Sequence, residues 1–204
     1  TANIYTAGAS VLNKQSYRKQ LADHLDDGLD GYDKGVDKRA AKAKRLRKES
    51  GKLRRGATKN TQILKDYGEI KRIRVHGDCH SGNILWRDDN PHFVDFDDAR
   101  MAPAIQDLWM LLSGDRQEQT AQMAELIEGY SEFYDFDYRE LRLIEVFRTL
   151  RIMHHSAWIA RRWTDPAFPR AFSWFNSPRY WSEHILELRE QLAALNEPPI
   201  ELRS

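Results

Sequence analysis

The stretch His76-Gly77-Asp78-Cys79-His80-Ser81-Gly82-Asn83 gathers two histidines, an aspartate, an asparagine and the chain's only cysteine. Residues of these types could support three chemistries: a thiolate nucleophile, a multi-ligand metal centre, or phosphoryl transfer with an aspartate as proton acceptor. The thiolate fits poorly. It needs a lowered pKa and, in a phosphate-handling loop, an arginine close downstream, whereas Cys79 reaches Arg87 only across a predicted strand. A small buried thiol is the expectation for Cys79.

A two-cation phosphoesterase centre could begin with Gly-Asp-x-His, but it needs later Gly-Asp-x-x-Asp and Gly-Asn-His-Glu boxes, and neither occurs. Phosphoryl transfer asks for an aspartate to accept a hydroxyl proton, an asparagine to hold magnesium, and a second aspartate to hold magnesium against the nucleotide phosphates. His76, Asp78 and Asn83 have the spacing of the kinase catalytic loop H-R-D-x-x-x-x-N. Twelve residues after Asn83 comes Asp95, in Phe93-Val94-Asp95-Phe96. Two protein oxygens completed by phosphates and water suit magnesium, which keeps several waters in octahedral geometry.

Such residues need elements to hold them. Ile70, Ile73 and Val75 predict a short strand leading into the motif, and Asn83–Arg87 with His92–Phe96 predict two strands joined by Asp88-Asp89-Asn90-Pro91. That hairpin brings Asn83 and Asp95 together at one end. Ile105, Leu108, Trp109 and Leu112 share a helix face that Gly114 terminates, and further helices are expected over 117–134, 138–163 and 179–195. TDPAFPRAFSWFNSP, between the last two, is expected to be an ordered loop packed on the helices. Asp107 shares that apolar helix face and would be costly if buried unpaired, so it should accept hydrogen bonds from loop backbone. Asp97 and Asp98 suit capping roles. His76 and His80 suit hydrogen-bonding roles better than ligation.

The blocks RVHGDCHSGNILW, FVDFDDAR and QDLWMLL resemble the aminoglycoside phosphotransferase and choline kinase superfamily, and most closely the bacterial stress response kinase A group of serine/threonine protein kinases. The similarity runs from about Val75 to Leu202, continuing through RRWTDPAFP and NEPPIEL. The resemblance implies an α+β, protein-kinase-like C-terminal lobe, mainly helical with a small β-hairpin at the catalytic loop. It also implies Asp78 as catalytic base, Asn83 as magnesium ligand, and Asp95 as the magnesium-binding acid in the place of the kinase D-F-G aspartate. His76 and Asp107 would brace the loop from behind, and His80 would shape it. ATP and Mg2+ are the implied cofactors, and a protein serine or threonine the implied acceptor. Residues 1–69 contain no strand-turn-strand for phosphates and no lysine-bearing strand, so an N-terminal nucleotide lobe is not recognisable there.

The chain's 204 residues are 41% hydrophobic, enough for a real core. The lone cysteine excludes an internal disulfide, and no apolar run approaches a membrane span or forms a secretory signal. A cytoplasmic monomer with no membrane contact is the expectation. The net charge of +1 hides a basic front: residues 1–74 carry 19 Lys and Arg against 9 Asp and Glu, and the remainder 13 against 22. Tyr17, Leu21 and Leu25 predict a first helix, and Lys38–Arg55 a solvated basic one. Asp26–Asp37 resembles a calcium loop but lacks its final glutamate, which favours a plain turn. Two domains are expected, a basic segment over 1–69 and the kinase-like lobe over 70–204. Two other functions stay open: a catalytically inactive kinase-like module whose Lys38–Arg55 recruits an acidic partner or nucleic acid, and a small-molecule kinase of the aminoglycoside or choline type.

Overall fold

A computed structural model describes residues 62–202 of the chain. The predicted helices before them, the Asp26–Asp37 turn and the basic stretch Lys38–Arg55 lie outside the described residues. The described residues are mainly helical with two small antiparallel sheets, and they divide into two compact units, Ile63–Phe147 with 198–202, and Arg148–Glu197.

In the first unit, a helical turn over 62–67 precedes β1 (Ile73–Val75), whose β-branched ends flank an exposed Arg74. β2 (Ile84–Arg87) and β3 (Asn90–Phe93) form a hairpin with Ile84 opposite Phe93 and Arg87 opposite Asn90. Its turn is tighter than the expected Asp88–Pro91 loop. Asp88 and Asp89 alone make it, at φ 52° and 58°, the positive pair that a two-residue turn requires and that aspartate tolerates. The second strand also ends earlier than expected. It stops at Phe93 because Asp95 turns left-handed and Phe96–Asp98 winds into a 3-10 turn.

β4 (Arg100–Ala102) pairs antiparallel with β1, Ile73 opposite Ala102 and Val75 opposite Arg100. No local pattern announces this three-residue strand, because its partner lies far back in the chain. The Ile105 face forms as expected but as one α turn, α1 (Ile105–Leu108), continued by a 3-10 turn over Trp109–Leu111. α2 (Arg116–Ser131) opens on a capping box in which the Asp115 carboxylate accepts from the Glu118 amide, and the Glu118 carboxylate from the Asp115 amide. The expected helix from 138 starts as a 3-10 segment, Tyr138–Leu143, before α3 (Ile144–Arg161). Ile105, Met123, Leu143 and Ile144 are fully buried here.

The second unit is an aromatic core. The segment TDPAFPRAFSWFNSP contains a short helix, α4 (Ala167–Ala171), and delivers the fully buried Phe175 against Trp163 and Trp181, with ring centroids 5.3 and 5.2 Å away. α5 (Pro178–Ala194) starts with Pro178 at its first turn and Ser177 capping the Tyr180 amide, and it buries Trp181, His184 and Leu188. Among the described residues, no helix is long and apolar enough to cross a membrane.

Candidate active site

The motif begins where β1 ends. His76 follows Val75 and is buried, and its Nε2 lies 2.8 Å from the Val94 carbonyl. A carbonyl only accepts, so Nε2 carries the proton and Nδ1 is free to accept from the Asp78 amide at 3.4 Å. The imidazole thereby links the loop to the segment just before Asp95, and the Phe96 ring packs on it with centroids 4.5 Å apart.

Asp107 reaches the loop from α1. Its two carboxylate oxygens accept from the His76 amide at 2.6 Å and the Gly77 amide at 2.8 Å. Charge-assisted bonds to both amides hold the loop from behind. The Gly77 carbonyl accepts from Gln106 Nε2 at 3.2 Å and from Arg100 Nη2 at 3.3 Å. Gly77 is gripped on both sides, through the amide of one peptide and the carbonyl of the next. Gly77 sits at φ 88°, and a Cβ there would overlap the Asp98 carbonyl and lie 2.9 Å from Arg100 Nε, so the position requires glycine.

Asp78 comes next, partly exposed. Its carbonyl accepts from Asn83 Nδ2 at 3.0 Å, which commits that end of the buried Asn83 amide and leaves Oδ1 as the atom that could face a cation. The Asp78 carboxylate lies 3.7 Å from His80 Nε2, while His80 Nδ1 accepts from the Gly82 amide at 3.0 Å and caps the 3-10 turn Ser81–Asn83. The Val94 amide donates to the Asn83 carbonyl at 3.0 Å, so Asp95 leaves the ladder one residue beyond Asn83's partner. Asp95 is exposed at φ 64° and ψ 62°, with no capping bond to the turn that follows it. Asp98, by contrast, lies 3.5 Å from Arg100 Nη2.

The six residues singled out in the sequence thus occupy one loop and its supports: Asp78, Asn83, His76 and His80 on the loop, Asp107 behind it, Asp95 beside Asn83. Among the described residues no three His, Cys, Asp or Glu side chains converge into a closed metal centre. A cation at Asn83 and Asp95 would take its remaining ligands from water or phosphate, as magnesium does. Gln106, Arg100 and the Val94 carbonyl carried no sequence signal, because each acts through backbone groups far away in the chain. The glycine in HGD was the one visible hint.

Cys79 is buried at 6% exposure and is a free thiol. Burial, reinforced by the Asp107 and Asp78 carboxylates, pushes its pKa from the ordinary 9.0 to about 11. At neutral pH its thiolate fraction is then about a hundredfold below that of an ordinary thiol. Alkylation of the native chain by iodoacetamide at pH 7.5 should be at least about a hundredfold slower than of the urea-unfolded chain. Comparable rates would contradict a buried, inert thiol.

The chain matches the phosphotransferase enzyme family (APH) over residues 13–144, more than half its length. It is similar to stress response kinase A of Escherichia coli O157:H7, 54% identical over 130 residues that cover 64% of this chain and 39% of that protein. Stress response kinase A of Escherichia coli K12 and the serine/threonine protein kinase RdoA of Salmonella typhimurium LT2 are each 53% identical over 130 residues, with the same coverage. The chain spans about two-fifths of the length of the relatives it matches.

Proposed function

The chain belongs to the phosphotransferase enzyme family, and from that premise we propose that residues 70–204 form the C-terminal catalytic lobe of a kinase that transfers the γ-phosphoryl group of magnesium-bound ATP to a protein serine or threonine in the cytoplasm. The observation that carries this reading is the left-handed, exposed and uncapped Asp95 placed beside Asn83. Aspartate tolerates that backbone, as at Asp88 and Asp89, and here its carboxylate makes no capping bond to the turn that follows.

In this reading the Asp78 carboxylate accepts the proton of the attacking hydroxyl. Asn83 Oδ1 and the Asp95 carboxylate would hold magnesium, which when bound neutralises charge on the transferred phosphoryl group. His76 and Asp107 keep the Asp78 backbone in place, and His80 sets the turn between Asp78 and Asn83. A protein acceptor is favoured because the Salmonella relative is named a serine/threonine protein kinase. Offering an aminoglycoside or choline in place of protein tests the small-molecule alternative.

Thermal unfolding with and without Mg-ATP decides the nucleotide claim. At about a hundred times its dissociation constant, Mg-ATP should add about 2.7 kcal/mol to native stability, and Asp95→Ala should remove most of that gain. No gain in the parent would overturn nucleotide binding and kinase activity by this chain on its own, and favour a catalytically inactive module that recruits an acidic partner or nucleic acid through Lys38–Arg55. A gain that survives Asp95→Ala would move the nucleotide elsewhere.

A further inference from the structure

The turn that carries Asp107 cannot cap itself. α1 is four residues long, and its cap position is Ala104, which has no side-chain acceptor and already lies in helical conformation at φ −57°, ψ −37°. The Gln106 and Asp107 amides donate to the Pro103 and Ala104 carbonyls at 3.1 Å, which leaves the Ile105 amide to find an acceptor, and a buried N–H without one is costly. The acceptor comes from 35 residues away. Glu140 Oε2 accepts from the Ile105 amide at 2.9 Å. Glu140 is only 3% exposed.

We infer that Glu140 is a positioning residue for the reaction proposed above, setting the placement of Asp78 through Asp107; the inference rests on that reading for its functional meaning. Glu140 fixes the start of α1. Two residues on, Asp107 fixes the His76 and Gly77 amides at 2.6 and 2.8 Å, and Gln106 holds the Gly77 carbonyl. Asp78 is the next residue. A one-turn helix has no length over which to absorb a displacement, so a shift at Ala104–Ile105 is passed to Asp107 nearly undiminished.

Glu140 is itself held firmly. Its amide donates to the Asp137 carbonyl at 2.8 Å, its neighbours Leu141 and Leu143 are buried, and Asp137 is clamped by Arg139 and by the Tyr67 hydroxyl at 3.2 Å. Burial pushes the Glu140 carboxyl above the usual carboxylate range, and the Ile105 amide acts against that push. A cavity of about 260 Å³ lined by Lys71, Tyr130, Asp137 and Glu140 adjoins it. Truncating Glu140 would therefore enlarge an existing opening, where water can reach the freed amide, while the fixed acceptor is lost. Placement of the turn should suffer more than the stability of the fold.

The test uses Glu140→Ala and Glu140→Gln in the full 204-residue chain, read by amide NMR. In Glu140→Ala the His76 and Gly77 amide protons should move upfield and exchange about tenfold faster or more, while amides of α5 stay at the parent's rates. Glu140→Gln keeps one acceptor oxygen of the same reach and should move both amides partway. If the alanine variant does not fold, the glutamine variant decides alone. Unchanged His76 and Gly77 amides, or an equal acceleration in α5, overturn the inference, the latter because it marks general destabilisation. Neither readout needs nucleotide, so a parent without phosphoryl transfer would sink the proposed function and leave this test standing. Where transfer is measurable, Glu140→Ala should lower kcat by about tenfold with KM for ATP within about twofold. A change confined to KM would also overturn it.

Discussion

Replacing Asp78 by asparagine is expected to slow phosphoryl transfer from Mg-ATP to a protein serine or threonine by roughly 10²- to 10⁴-fold, the range that a positioned general base contributes. Asparagine cannot take up the hydroxyl proton, yet it preserves the loop. The Asp78 amide bonds His76 Nδ1 and the Asp78 carbonyl accepts from Asn83, and neither bond uses the carboxylate. Thermal unfolding of Asp78→Asn should therefore match the parent, and the stabilisation by Mg-ATP should persist. Transfer of labelled γ-phosphate to an acceptor protein gives the rate. A variant that works at the parent's rate removes Asp78 from the chemistry.

Gly77→Ala should have the largest effect on stability, a loss of about 2–4 kcal/mol. Two costs add at this position. A Cβ at φ 88° is strained in itself, and here it also overlaps the Asp98 carbonyl in the segment that follows Asp95. The backbone cannot rotate away cheaply, because Asp107 holds the amide of Gly77 while Gln106 and Arg100 hold its carbonyl. Urea unfolding should give a lower midpoint with an unchanged slope. A midpoint within error of the parent would mean that the loop rearranges freely, contrary to the bonding described. Because Gly77 lies between His76 and Asp78, the same variant should also lose most of its stabilisation by Mg-ATP.

Some of the fold was legible because its causes are local. Asp88-Asp89 are turn residues flanked by apolar strands, and the hairpin follows from them. The helices expected over 117–134 and 179–195 form as α2 and α5, and their starts are fixed by side-chain caps at Asp115 and Ser177. The expected strand through Phe96 failed for an equally local reason that composition does not reveal: Asp95 adopts a left-handed backbone, and no residue pattern distinguishes that from one more extended residue.

The spacing of His76, Asp78, Asn83 and Asp95 was likewise plain in the sequence, since a loop, a tight hairpin and its return strand fix their separations along the chain. The sequence alone nominated which side chains could act, with phosphoryl transfer as their chemistry. Tertiary structure decided how they are held. Pairing of Arg100–Ala102 with β1, the double grip of Gln106 and Arg100 on the Gly77 carbonyl, the bond from His76 to Val94 and the capping of α1 by Glu140 each join groups from 18 to 35 residues apart. Backbone amides and carbonyls are the same at every residue. Which of them meets which side chain is therefore set by packing, and residue identity could not announce it.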